Sequence, residues 1–191
     1  REVLDATAQL GFRGMILIYL VVEQDRFTEY DAHYFPEIEL PISRISEPKV
    51  YSNSIEPRGR TLLCAELPCD PGSPYWQTTD AELGKKLCEW LDQAGLPVRT
   101  PVRCALTRRL PQAYPVYRRN YEMHFDLMDN WLGGFEGLLH YGRQALFAHD
   151  NTHHALYMAY AAVDCFAPDG TFDTARWARF RRIFETHVVE D

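Results

Sequence analysis

The stretch Phe12-Arg13-Gly14-Met15-Ile16-Leu17-Ile18-Tyr19-Leu20-Val21-Val22 decides the fold of this chain. It is an almost continuous apolar run, rich in β-branched and aromatic residues that favour the extended backbone. Its apolar part is about half of the ~20 residues that a membrane-spanning helix needs. The run therefore predicts a buried β-strand rather than a membrane segment.

Shorter segments of strand composition follow this run, separated by Pro, Gly, Asn and Asp. Strands are predicted at residues 33–38, 42–45, 61–67, 102–106 and 138–147, with an extended piece at 113–117. Apolar periodicity and capping residues predict helices at residues 3–10, 79–95, 121–131, 153–166 and 172–189. Strands in a run, with helices inserted singly, indicate an α+β fold with a mixed, largely antiparallel sheet and helices packed on it.

Composition limits the classes of function. Of the 191 residues 46% are apolar and 25% charged, which is typical of a globular protein. The net charge of −7 disfavours binding to nucleic acid. The five cysteines have no paired metal-type spacing, so we expect free thiols in a reducing cytoplasm, with a Cys64–Cys69 disulfide as the alternative. We expect a cytoplasmic protein with no nucleic-acid partner and no membrane span.

The stretch from Tyr141 to Ala155, YGRQALFAHDNTHHA, carries the most chemical information. A polar turn opens a helix whose first residues are Asp150, Asn151 and Thr152. A helix start has unpaired backbone N–H groups and the positive end of the dipole, so it is suited to bind an anion or an electron-rich carbonyl. The alternative is that these polar residues only cap the helix.

The order of residues in this stretch resembles the C-terminal flavin-contact motif of a superfamily that includes amine oxidases, protoporphyrinogen oxidases, phytoene desaturases and UDP-galactopyranose mutases. The matching residues are Gly142-Arg143, Phe147, Asp150-Asn151 and His154-Ala155. Three upstream stretches also resemble these proteins. Residues 106–117 resemble the strand that contains Ala-Tyr-Pro, while residues 12–20 and 44–48 resemble the cap domain that lies over the flavin.

The resemblance implies an FAD-dependent oxidoreductase in which an N-terminal Rossmann-like half holds the dinucleotide. Residues 1–137 would be the substrate-binding cap domain, and residues 138–191 would be a strand-helix-helix segment that completes the FAD domain. The chain has no G-x-G-x-x-G after a strand. We therefore expect the chain alone to be inactive and not to retain FAD, and to require the dinucleotide-binding half as its partner.

The resemblance also assigns site residues. The predicted cofactor-binding residues are Gly142, Arg143, Asp150, Asn151, Thr152, His153 and His154. Tyr114 and Tyr117 are predicted to contact a small-molecule substrate. No Ser-His-Asp or paired-carboxylate set is recognisable, so no catalytic residue is assigned.

Three other functions stay open. The first is a UDP-galactopyranose mutase-like flavoenzyme. The second is a metal site built from His149, Asp150, His153 and His154; we predict none, because His149 precedes the regular part of the helix. The third is an interaction domain, since a cap without its nucleotide-binding half would expose apolar surface and self-associate.

Overall fold

The computed structural model describes residues 1–189, and the chain divides into two compact units. One unit comprises residues 12–113, and the other comprises residues 1–11 together with the chain from residue 114 onward. Within residues 1–189, no helix has the length and apolar character to cross a membrane. These two units differ from the division predicted from the sequence, a cap domain at residues 1–137 and an FAD-domain segment at residues 138–191. That functional division stays a prediction.

The described residues form a five-stranded sheet. Its strands are β1 (Gly11–Val22), β2 (Ala32–Tyr34), β3 (Arg44–Ser46), β4 (Thr61–Pro68) and β5 (Val102–Val116), in the order β2-β3-β4-β1-β5. β1 pairs antiparallel with β4, with Ile18 opposite Ala65, and β3 pairs antiparallel with both β2 and β4. The predicted α+β fold with a largely antiparallel sheet is confirmed.

Burial alternates along the central strands, so the sheet has an inner and an outer face. On the inner face the apolar side chains of β1 and β4 are almost fully buried: Ile16, Ile18, Leu20, Val22, Leu63, Ala65 and Leu67. Helix α3 (Asp80–Gln93) covers this face with Leu83, Leu87 and Leu91. The short helix α2 (Pro48–Tyr51) contacts β4. The inner face and α3 therefore form the main hydrophobic core.

Four helices build the second unit. They are α1 (Glu2–Thr7), α4 (Tyr121–Gly133), α5 (Thr152–Val163) and α6 (Thr174–Phe184). Helix α1 packs on α4, and α5 packs on α6. The α5–α6 core is built from Met158, Ala161 and Phe184, with Trp177 and Phe180 packed against them.

The predicted strand at residues 138–147 is wrong, because this segment is a series of turns. Gly137 and Gly142 both have positive φ, at +73° and +94°, and Phe147 has φ +49°. Such angles end an extended backbone. In a strand, the Gly142 N–H would donate a hydrogen bond to a neighbouring strand. Here it donates to Met158 Sδ at 3.2 Å.

Two other predictions were inaccurate at their boundaries. The separate segments 102–106 and 113–117 form one strand, β5, despite Pro111 and Pro115. β5 lies at the edge of the sheet, where a missing proline N–H need not break a ladder. The last predicted helix, 172–189, is helical only over the residues of α6.

All five cysteines are free, so the alternative Cys64–Cys69 disulfide is not formed.

Asp129 links α4 by hydrogen bonds to α6 and to the loop between α4 and α5. Its carboxylate accepts two hydrogen bonds from Arg181, both 2.9 Å long, and Oδ1 lies 2.6 Å from His140 Nε2. Burial raises the pKa of Asp129, but the hydrogen bonds to His140 and Arg181 outweigh burial and lower the pKa below its ordinary value. The ionised carboxylate therefore stabilises the folded state.

The Asp129→Asn variant is expected to lose about 1–2 kcal/mol of stability at pH 7, because two partners lose their charged acceptor. A carboxylate whose pKa is lowered by folding stabilises above its unfolded pKa and loses that effect as the pH falls. The wild type should therefore lose stability below about pH 4 more steeply than the variant. Urea unfolding between pH 3 and 7 measures this, with exposed Asp126→Asn as the control. Equal acid dependence of wild type and Asp129→Asn would contradict it.

Candidate functional site

The start of α5 is organised by a reciprocal cap. Asn151 is the N-cap residue, with an extended backbone at φ −89° and ψ 171°. Its N–H donates to His154 Nδ1 at 3.2 Å, and Asn151 with His154 forms a capping box. The cap therefore accounts for the amides of Asn151 and His154, while the Ala155 N–H donates to the Asn151 carbonyl.

Two amides of the first turn remain available. Within residues 1–189 neither the Thr152 N–H nor the His153 N–H has a hydrogen-bond acceptor, and both residues are exposed. These N–H groups lie at the positive end of the α5 dipole. The pair can therefore donate hydrogen bonds to an anion or to a carbonyl oxygen that approaches from solvent.

Arg143 supplies a positive charge in the same unit. Its guanidinium carbon lies 4.6 Å from the centre of the Tyr114 ring, which is a cation–π contact. The Nε atom of Arg143 is buried and has no hydrogen-bond partner among the described residues. Within the described part of the chain, no carboxylate lies within ion-pair distance of this guanidinium. Arg143 therefore carries a positive charge that no carboxylate of residues 1–189 neutralises, and its role in cofactor binding stays a prediction.

The turn that holds Arg143 is fixed by its own backbone. Gly142 takes a positive φ that other residues rarely adopt, and its carbonyl accepts the Leu146 N–H at 2.9 Å. The Arg143 carbonyl accepts the Ala148 N–H at 3.0 Å. Gly142 therefore shapes this turn through its backbone.

An aromatic cluster surrounds Phe147. The ring of Tyr117 lies 5.5 Å from that of Phe147 and 5.2 Å from that of Tyr121, centre to centre. Phe125 stacks on Phe147 at 6.4 Å. Tyr117 nevertheless keeps 42% of its surface exposed, and burial of the remainder raises its pKa. Tyr117 thus packs on the cluster with one side and faces solvent with the other. The substrate contacts predicted for Tyr114 and Tyr117 stay predictions.

The side chains of Asp150 and His154 are turned into the unit. Asp150 Oδ1 lies 3.4 Å from His154 Nδ1 and 3.3 Å from His187 Nδ1. Burial, followed by the neighbouring His153 and His187, lowers the pKa of His154. Of the predicted cofactor residues, Thr152 and His153 are exposed, Asp150 is buried, and the others are half-buried: Gly142, Arg143, Asn151 and His154.

The sequence analysis missed two features of the structure. His187 follows α6, and no local pattern connects it to the start of α5. The other feature is a cavity of about 520 Å³ on the outer face of the sheet. Val21 and Leu62 are among its lining, and its cations are Lys49, Arg60 and Arg103. Alternating residues of β1 and β4 that stay apolar on the outer face are a signal that could have indicated such a surface.

No protein-family model matches this sequence, and no curated protein matches it. The fold does match solved structures. The crystal structure of a reduced UDP-galactopyranose mutase has a TM-score of 0.73 and 17% identity, over 96% of this chain and 39% of that one. A protein from Exiguobacterium sp. assigned as a protoporphyrinogen oxidase has a TM-score of 0.52 and 14% identity, over 70% of this chain and 30% of that one.

These identities are low, so the likeness concerns the fold and not the activity. The chain spans about two-fifths of the mutase and less than a third of the second protein. The chain therefore shares its α+β fold with part of each of these two proteins.

Proposed function

We propose that this chain is the cap and flavin-facing part of an FAD-dependent oxidoreductase of the amine oxidase or protoporphyrinogen oxidase type. It would act on a small-molecule substrate in the cytoplasm, together with an N-terminal dinucleotide-binding half. The observation that carries this proposal is the pair of open amides at Thr152 and His153. The ordered sequence resemblance and the fold likeness to two enzymes support it.

The residues present fit one edge of a flavin. Reduction of a flavin places negative charge along the edge that carries N1 and the C2 carbonyl, and fixed N–H donors stabilise that charge. The start of α5 offers two such donors and a favourable dipole. By contrast, the chain contains no glycine-rich turn between a strand and a helix for a dinucleotide diphosphate. The proposal therefore requires the second half of the enzyme.

Each group of the chain has a separate task in this proposal. When bound, the flavin supplies two-electron redox chemistry. The Thr152 and His153 amides hold its electron-rich edge, and Arg143 binds an anionic group of the cofactor or substrate. The packed rings of Tyr117 and Phe147 exclude water on their side. Tyr114 and Tyr117 would contact the substrate.

Thr152→Pro tests the role of a single amide. Thr152 is the first residue of α5, where proline is tolerated, and the extended Asn151 before it suits a following proline. The substitution therefore removes one N–H while leaving the helix in place. In the polypeptide that joins this chain to its dinucleotide-binding half, we expect the flavin reduction potential to fall by about 30–60 mV, which corresponds to one charge-assisted hydrogen bond.

The matched control is Thr152→Ala, which removes the same side chain and keeps the amide. We expect its potential to stay at the wild-type value, and circular dichroism melting should show that both variants are folded. If Thr152→Pro leaves the potential unchanged, the start of α5 does not contact the flavin.

UDP-galactopyranose mutase-like chemistry is the second candidate, and Arg143 favours it. An unpaired guanidinium is well suited to the diphosphate of a nucleotide sugar. The two candidates differ in electron balance, because an oxidase consumes one electron acceptor for each product, whereas a mutase with reduced flavin consumes none. Acceptor consumption during turnover therefore distinguishes them.

A further inference from the structure

Three potential ligands converge behind the start of α5. Asp150, His154 and His187 each present one donor atom, and these atoms all lie within 4.8 Å of one another. The Asp150 side chain is 2% exposed, and those of His154 and His187 are 12% and 11% exposed. A carboxylate and two imidazoles are thus gathered in one nearly water-free place.

Internal hydrogen bonds do not account for this cluster. Among residues 1–189, Asp150 Oδ2 and His187 Nδ1 are both buried and find no hydrogen-bond partner. Buried polar atoms are rarely left unpaired, because each costs free energy. The contacts of 3.3 and 3.4 Å from Asp150 Oδ1 to the two imidazole nitrogens therefore need another explanation.

A metal ion explains these distances. Zinc binds histidine nitrogen and carboxylate oxygen at about 2.0–2.1 Å, so two ligand atoms of a tetrahedral site lie about 3.3–3.4 Å apart. Both distances from Asp150 Oδ1 have this value. Two histidines and one carboxylate are also a set that zinc and related divalent transition ions prefer.

We infer that Asp150, His154 and His187 bind a divalent transition metal ion of the zinc type, with a fourth position for water. From the sequence we predicted no metal site, because His149 and His153 were not expected to share a helix face; His187 supplies the ligand that this pattern lacked. The ion joins the segment after α6 to the start of α5. This inference goes beyond the proposed function and does not depend on flavin binding.

Metal binding requires two local adjustments. The His154 and His187 rings are stacked at 15°, so the His187 ring must rotate until both Nδ1 lone pairs converge. The lone pair of His154 Nδ1 also accepts the Asn151 N–H, and ligation takes that lone pair away. The Asn151 amide then becomes free beside those of Thr152 and His153.

Titration of the metal-free chain, without a histidine tag, with Zn²⁺ tests the inference. We expect one ion per chain and a rise of about 5–10 °C in the unfolding midpoint at about 100 times the dissociation constant. Mg²⁺ prefers oxygen ligands and should give no shift. Co²⁺ should give the visible absorption of a tetrahedral nitrogen and oxygen site.

His187→Ala should abolish the Zn²⁺ shift and the Co²⁺ spectrum. The control, His149→Ala, removes an exposed histidine next to Asp150. It should keep both the Zn²⁺ shift and the Co²⁺ spectrum. Far-UV circular dichroism of metal-free His187→Ala checks that the variant folds, and the wild-type Co²⁺ spectrum does not depend on that variant. The inference fails if the wild type shows neither shift nor spectrum, or if His187→Ala retains them.

Discussion

Replacing Glu47 with alanine is expected to lower the free energy of unfolding by about 3–5 kcal/mol. Glu47 is only 3% exposed, and its carboxylate accepts the N–H groups of Phe27 and Thr28 and the hydroxyl of Thr61, the last at 2.6 Å. Alanine leaves these donors without their charged acceptor. Urea unfolding of the chain, followed by circular dichroism, measures the loss.

A matched control separates this effect from the loss of any surface carboxylate. Glu39 is exposed and its side chain has no hydrogen-bond partner within the described residues, so Glu39→Ala should change stability by less than about 0.5 kcal/mol. A loss below about 1 kcal/mol in Glu47→Ala would mean that water replaces the carboxylate, and that Glu47 does not organise the segment before β2.

Gly84→Ala is expected to destabilise the chain by about 2 kcal/mol, although alanine is normally better than glycine in a helix by about 1 kcal/mol. Gly84 lies within α3, on the side that packs on the sheet. A Cβ atom there would lie 2.4 Å from the Ala105 Cβ and 3.3 Å from Leu20 Cδ2. Such overlap forces α3 away from the sheet. Chemical denaturation of the variant measures the sign and size of the change.

A second substitution tests the cause. Ala105→Gly removes the atom that the new Cβ meets, so the double variant should recover part of the stability lost in Gly84→Ala. A double-mutant cycle then gives a favourable coupling between the two positions. Stabilisation by Gly84→Ala alone would show that α3 and β5 are not as close as the structure places them.

Elements with a strong local pattern could be predicted from the sequence. The apolar run of β1 and the periodic leucines of α3 each specify one type of backbone, and the structure has both elements near the predicted bounds. The strands β2 and β3 are shorter than predicted, at three residues each. Short strands depend on pairing with distant segments, which the local sequence does not record.

Elements that depend on tertiary contacts could not be predicted. The apolar residues around Gly142 suggest a strand, but the segment turns because Gly142 takes a positive φ and bonds to Met158 on α5. The polar residues at 150–154 indicated a helix start, and α5 does begin at Thr152. Which of them face solvent was not readable, since the buried Asp150 lies against His187, which is distant in the sequence.

The most direct test of the central claim is a titration with FAD of the polypeptide that joins this chain to its proposed dinucleotide-binding half. We expect one FAD per polypeptide, and binding to residues 1–191 alone that is weaker by on the order of 100-fold, because the chain lacks the diphosphate contacts. If the folded joined polypeptide binds no FAD, or binds it no better than this chain alone, the claim that the start of α5 serves a flavin is wrong.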